Sequence, residues 1–239
     1  METNDINSKF LPVAVVVAGL LIAGAVVWNG SRPSTGSPRG GAAAAVDIKD
    51  IDIAGDPFIG SADAPVTVAF WSDFQCPYCK AVEVGGIPQI PLDPALPDVI
   101  KNYVDTGKVK LVFMDFVFLG QDSITAALYN RSVWTLYPGQ YFAWRTAMYE
   151  AQDEEGDQGF GDAASIDKLT ATIAGIDAAK VAADVKANTS TYQAAVDADR
   201  AEAQKIGVNA TPSFVIGTQL IPGAVPYAAL QSAIDAVLK

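Results

Sequence analysis

The sequence predicts an α/β domain behind a single N-terminal transmembrane helix. Three observations predict it. Phe10–Trp28 is a run of 19 residues without a charge. Val66–Trp71 and Val109–Phe118 are apolar runs of strand length, with helical patterns between and after them. A strand pair, Ser213–Ile216 and Gln219–Ile221, returns only after a long helical region, and one more helix follows it. Half of the 239 residues are hydrophobic, which is enough to bury a sizeable core.

Residues 1–9 are polar. As a helix, residues 10–28 would span about 28 Å at ~1.5 Å per residue, close to the ~30 Å hydrocarbon core of a bilayer. The run exceeds the ~7–15 apolar residues of a signal peptide, so it reads as an uncleaved anchor. The competing reading is a signal cleaved near Ala42–Ala45. Lys9 on one side and Arg32 and Arg39 on the other give almost no charge bias for orientation. Residues 29–45, NGSRPSTGSPRGGAAAA, read as a flexible linker with a typical span of roughly 20–25 Å.

The folded domain is expected over residues 46–239. Asp50–Ala54 is expected as an edge strand, followed by a turn at Gly60-Ser61 and the central strand Val66–Trp71. A helix runs from about Cys76 to Val84 and stops at Gly85-Gly86; Pro88, Pro91, Pro94 and Pro97 then keep the chain extended. A helix over about Asp98–Thr106, stopped by Gly107, leads into the second buried strand. Ser123–Leu136, Gln140–Ala151, Ser165–Ala174, Ala178–Ala187 and Thr191–Ile206 read as helices. Gln152–Asp162 is a Gly/Asp/Glu-rich loop without the ligand order or closing Glu of an EF-hand. Pro226 opens the last helix, with Tyr227, Leu230, Ile234 and Val237 at helical spacing.

The formal net charge is −11, and the 25 acids and 13 bases beyond residue 45 concentrate it in the domain. Nucleic-acid binding needs basic patches and is disfavoured. The chain has no histidine, which excludes Ser-His and Cys-His nucleophile pairs and the HExxH zinc helix. No Gly-rich phosphate loop is present either.

The chemistry concentrates in Cys76-Pro77-Tyr78-Cys79, which holds the only two cysteines and follows the central strand directly. This is the sequence form of a thioredoxin-like redox site. A helix starting near Cys76 places that thiol among unpaired N–H groups at the positive end of the dipole, favouring the thiolate. Cys79 lies three residues on, on the same face, so the sulfurs can close a disulfide. Pro77 suits the first turn, where its missing N–H costs nothing. Cys76 is then the attacking thiol and Cys79 the resolving one. A zinc site wants four Cys or His ligands, and the chain has no others. A purely structural disulfide would close so short a loop that it removes little unfolded-chain entropy.

CPYC after a strand, and GVNATPSFVIG about 130 residues later, resemble the DsbA-like branch of thioredoxin-fold thiol–disulfide oxidoreductases. The resemblance also takes in SDFQCPYC, YVDTGKVKLVFMDF, LGQDSITAA and IPGAVPYAAL, and covers about Ile59–Lys239. It implies a thioredoxin-like fold with an all-helical insertion at about Gly120–Gly207, and a cis Thr211-Pro212 bond beside the sulfurs. Carried over, Thr211 offers its backbone to an extended substrate chain by strand addition. Pro212, lacking an N–H, keeps that side of the sulfurs clear. Phe74, Tyr78, Trp71 and the Ala224-Val225-Pro226 turn are candidates for an apolar client groove; core packing competes for all of them, is the preferred role for Trp71 and is evenly matched for Tyr78.

Three features depart from the pattern. Position 70 is Phe where many relatives carry a buried acid that moves the resolving cysteine's proton, which leaves Asp73 or a water for that task. The dipeptide is Pro-Tyr rather than Pro-His, so the Cys76 pKa is expected to fall less than it does beside an imidazolium. Gly85–Pro97 looks inserted and reads as a neutral loop, with a rim to the site or to a partner surface as the competing role.

The expectation is therefore a single-pass cell-membrane protein with its catalytic domain on the extracytoplasmic side. It would oxidise cysteine-containing client proteins and be re-oxidised by a membrane partner, with no cofactor or metal and no nucleic acid. The alternatives are a disulfide reductase or isomerase, and a non-catalytic, chaperone-like binding module.

Overall fold

A computed structural model of the chain describes residues 46–153 and 159–239. The predicted membrane span, residues 10–28, and the linker, residues 29–45, lie outside the described residues. Among the described residues no helix is long and apolar enough to cross a membrane.

The sheet is built around β2 (Val66–Ser72). β3 (Val109–Asp115) pairs parallel to it, from Val66 opposite Val109 to Ser72 opposite Asp115. β4 (Ser213–Ile216) pairs antiparallel on its other side. β1 (Phe58–Ile59) and β5 (Gln219–Pro222) close the edges, antiparallel to β3 and β4, giving the order β1-β3-β2-β4-β5. The near-continuous apolar runs of β2 and β3 follow from burial on both faces. Val66, Val68 and Phe70 join one core cluster, with Leu111, Phe113, Phe214 and Ile216. Ala69 and Trp71 join another on the opposite face, with Val112, Met114 and Val215.

The crossover from β2 to β3 is carried by α1 (Pro77–Glu83) and α2 (Ala95–Val99). Gly85 and Gly86 take φ of +72° and +81°, a left-handed conformation that ends α1 at little cost only because no Cβ is present. A helical insertion then separates β3 from β4: α3 (Gln121–Leu136), α4 (Tyr141–Ala151), α5 (Ala163–Thr170) and α6 (Ala178–Lys205). α7 (Tyr227–Leu238) ends the fold and packs on α2, β2 and β4.

One buried charge cluster ties the insertion to the sheet. Arg131 on α3 reaches Asp56 (2.6 Å), Asp115 at the end of β3 (2.7 Å) and Asp199 on α6. Asp199 also accepts from the Asp115 N–H at 2.6 Å, and its backbone carbonyl accepts from the Trp71 indole at 3.1 Å.

The structure corrects three expected elements. Asp50–Ala54 is not a strand. Asp47 caps a 3₁₀ turn over Ile48–Asp50, and Asp52 bonds the Ala54 N–H, so local side-chain bonds win over extension. The edge strand falls instead at Phe58–Ile59. The second crossover helix starts earlier than Asp98, at Ala95, because Pro94 serves as its N-cap and the first turn tolerates Pro97. It runs on as a wider π turn through Ile100–Val104, closed by Asp105 N–H to Ile100 O at 2.9 Å. The two helices expected over Ala178–Ile206 are one helix of 28 residues. Its polar middle does not break it, because Asn188 and Thr189 bond back to the carbonyls of Asp184 and Val185.

Candidate active site

β2 ends at Ser72, and a three-residue turn carries the chain to Cys76, the N-cap of α1. Cys76 has extended backbone (φ −78°, ψ 119°) and no side-chain cap, and Pro77 takes the first helical position. Its N–H bonds the Asp73 carbonyl at 3.1 Å, and its own carbonyl accepts from Cys79 and Lys80, each at 3.1 Å. The first turn is thus closed around the sulfur. Both cysteines are free thiols here; Cys76 is 4% exposed and Cys79 fully enclosed. The Cys76 thiol donates to the Thr211 carbonyl at 3.4 Å, and the Thr211-Pro212 bond is cis.

The two sulfurs are driven apart in acidity. The Cys79 thiol beside it lowers the Cys76 pKa most; burial opposes this, and Thr211 and the N–H groups of Cys79 and Tyr78 lower it further. Burial pushes the Cys79 thiol well up, and the neighbouring Cys76 sulfur adds to this. Of the two sulfurs, Cys76 is the one that gives up its proton more readily.

The ground beneath the pair comes from the insertion. Phe74 is 4% exposed, stacked on Tyr149 at 5.0 Å and edge-on to Trp144 at 5.7 Å. It is a core residue and not part of a groove: the rings of α4 draw it inward. Trp71 is likewise fully buried. Phe70, at the position where an acid is absent, stacks on Phe214 at 4.5 Å. Asp73 does lie on the turn, but it is fully buried. Its carboxylate accepts from Ser123 Oγ (2.7 Å), Gln75 N–H (2.9 Å) and Phe118 N–H (3.0 Å). Burial raises its pKa against these bonds. These three bonds brace the turn that carries the chain from β2 to Cys76.

Sequence reasoning missed three residues here. Glu83 and Arg145 form a fully buried pair under α1, and Arg145 also donates to Ser72 Oγ at 2.8 Å. Gln152, just past α4, donates to the carbonyls of Phe74 and Cys76. The one available signal was Glu83 itself, four residues after Cys79 and so on its inward face.

Tyr78 points outward, 52% exposed. It lines a cleft of about 430 Å³ with Thr211, Gly223, Ala224 and Ile90-Pro91-Leu92. Three residues of the Gly85–Pro97 stretch thus share a cleft with Tyr78 and Thr211. Val225 is half-buried against the main core, next to that cleft but not in its wall.

A thioredoxin family model matches residues 53–236 of the chain. The chain belongs to this thioredoxin family. Disulfide bond formation protein D of Bacillus subtilis (strain 168) is 27% identical over 194 residues, covering 78% of this chain and 79% of that protein. The crystal structure of oxidised BdbD from Bacillus subtilis superposes with a TM-score of 0.68 at 26% identity, over 79% of this chain and 95% of that one. The thiol-disulfide exchange protein α-DsbA2 of Wolbachia pipientis gives a TM-score of 0.62 at 26% identity, over 76% and 87%. This member of the thioredoxin family is a DsbA-like thiol–disulfide oxidoreductase.

Proposed function

We propose that the protein oxidises client proteins through Cys76 and Cys79, from the extracytoplasmic face of a membrane in which residues 10–28 anchor it. The observation that carries this reading is the asymmetry of the pair. Cys76 sits at a helix N-terminus beside Thr211 and Pro212 with its thiol made more acidic, while Cys79 is enclosed and made less so.

In the oxidised protein a client thiolate attacks Cys76 Sγ. The Cys76–Cys79 bond breaks, and Cys79 leaves as a thiolate and takes a proton. The client's second thiol gives up its proton and attacks the client sulfur of the mixed disulfide, and Cys76 leaves as the stabilised thiolate. Two electrons pass from client to pair, and the client gains a disulfide. Stabilising the departing Cys76 thiolate favours the reduced protein, which makes the pair an oxidant. Thr211 offers backbone to the extended client beside Pro212, which has no N–H to compete. A membrane redox partner then returns the pair to its disulfide. Support for the oxidising direction comes from the acidity of Cys76 and from the relatives named for disulfide bond formation.

The test is the reduction potential of the pair in the full-length chain, by equilibration with glutathione. A value near −120 to −180 mV is expected of a disulfide donor. A value near −270 mV would instead assign a reductase fed with electrons. A binding module with an inert pair predicts a Cys76→Ser variant that still supports every client.

A further inference from the structure

Resting on the exchange reading above, we propose that Gln152 is a positioning residue of the redox pair. Its side-chain amide holds two backbone carbonyls around Cys76, and so sets how readily the Cys76 sulfur leaves as a thiolate.

A sulfur at a helix N-terminus feels carbonyls as well as N–H groups. A carbonyl left uncompensated beside it works against the thiolate, just as a donor works for it. Gln152 follows the end of α4 and is 6% exposed. Its Nε2 donates to the Phe74 carbonyl at 2.5 Å and to the Cys76 carbonyl at 3.1 Å. Both partners can only accept, so the amide must present its NH₂ group to them. The Cys76 carbonyl thereby takes three donors, since the N–H groups of Cys79 and Lys80 also reach it at 3.1 Å. Among the described residues no backbone N–H reaches the Phe74 carbonyl, and Gln152 supplies the donor in its place.

The amide is fixed at its root. The Gln152 N–H bonds the Tyr149 carbonyl at 3.3 Å, and the Gln152 carbonyl accepts from Lys80 Nζ at 2.8 Å. Lys80 also donates to the Glu150 carbonyl at 3.4 Å, which sets a cation of α1 at the negative end of α4. The two helices are thus latched in both directions. α1 gives an ammonium to the end of α4, and the residue after α4 gives an amide to the start of α1. With the turn held this way, the N–H groups of Tyr78 and Cys79 serve the Cys76 sulfur and lower its pKa.

A brace that served folding alone would lower stability when lost, and would not respond to the sign of what replaces it. The test therefore compares Gln152→Met with Gln152→Lys in the reduced full-length chain, by the pH midpoint of Cys76 alkylation. Methionine has similar length and donates nothing, whereas lysine donates to the same carbonyls and adds a positive charge. The other ionisable groups about the turn, Cys79, Lys80, Asp73 and Tyr149, are the same in both variants. In Gln152→Met the midpoint should rise by about half to one unit, the equivalent of one hydrogen bond. In Gln152→Lys it should stay at or below the wild-type value. Measured above both midpoints, Gln152→Met should also move the equilibrium with glutathione about three- to tenfold toward the oxidised pair. The wild-type chain gives a reading without any substitution: with isotope-labelled glutamine, the Gln152 side-chain amide resonance should titrate with the Cys76 midpoint. An unchanged or lower midpoint in Gln152→Met, a rise in Gln152→Lys that matches it, or an amide resonance that does not titrate would overturn the inference. If the oxidised chain exchanges with neither glutathione nor dithiothreitol, the exchange reading itself falls and takes this role with it.

Discussion

Replacing Arg131 by Leu should unfold the attachment of the helical insertion, and its effect should grow with pH. Three carboxylates face this one guanidinium: Asp56 at 2.6 Å, Asp115 at 2.7 Å, and Asp199. All four side chains are at most 5% exposed, so solvent does little to screen them. Removing one partner of a buried ion pair costs about 3–5 kcal/mol, because the remaining charge is left in a medium that cannot solvate it. For a chain of this size about 2–4 °C of Tm corresponds to each kcal/mol, so Tm should fall by roughly 6–20 °C. Burial, opposed by Arg131, pushes the Asp199 carboxyl from the usual carboxylate range up to about 9, and Asp56 is raised as well. A carboxyl whose folded pKa is raised contributes stability that is fully present below its unfolded value near 4. That stability is lost as pH climbs toward the folded value near 9. Without Arg131, Asp199 and Asp56 lose the cation that opposes burial, so the Tm gap between wild type and variant should widen from pH 5 to pH 9. Asp199→Asn mimics the protonated acid: it should cost little at pH 7 and flatten the wild-type decline toward alkaline pH. Thermal unfolding monitored by circular dichroism over that range decides the matter. A gap that stays constant with pH, or an Asp199→Asn variant that declines as wild type does, would refute the charge argument.

Further outcomes are expected at the site. Cys79→Ser should trap Cys76 in mixed disulfides with clients, visible as reducible high-mass adducts on gels, whereas Cys76→Ser should give none. The pH profile of Cys76 alkylation in the reduced protein should have its midpoint below the free-thiol value of about 8.5. Thr211→Val removes a side chain that lowers this pKa but keeps the carbonyl, so the midpoint should move up; an unchanged midpoint would remove Thr211 from the account. Asp73→Asn turns a donor toward the Phe118 N–H, leaving a buried clash worth about 1–3 kcal/mol, with a Tm loss of a few degrees. Ser123→Ala should cost less, about 1 kcal/mol, because only one bond is lost.

What could be read in advance was what local spacing determines. Strand, turn, CPYC and helix occupy one short continuous stretch, and Cys76 as N-cap with Pro77 behind it needs no distant partner. The paired glycines that stop α1 are local in the same way. Phe74 and Tyr78 were not separable by this means. Both are aromatic and both flank Cys76 closely; what sends one inward and the other out is that Tyr149 and Trp144 of α4 stack on Phe74. Nothing near residue 74 encodes that contact. The long α6 was legible only as two pieces, since Asn188 and Thr189 break helices or sustain them depending on whether they bond the preceding turn.

The same division runs through the chemistry. The spacing of the two thiols is set within one helical turn, but the rise of the Cys79 pKa is set by burial, and groups of the insertion reach this site. Tyr149 touches the Asp73 carbonyl and lies close enough to Cys79 to feel its charge. Gln152 holds the carbonyls of Phe74 and Cys76, and Arg145 holds Ser72 at the end of the strand that delivers the motif. Every one of these groups lies about 70 residues from the cysteines in sequence. The CxxC turn is local in the sequence, whereas the side chains that hold it from below belong to a helix outside the motif. In this chain, with Phe70 where an acid could have stood, the turn is braced by Asp73 and by α4.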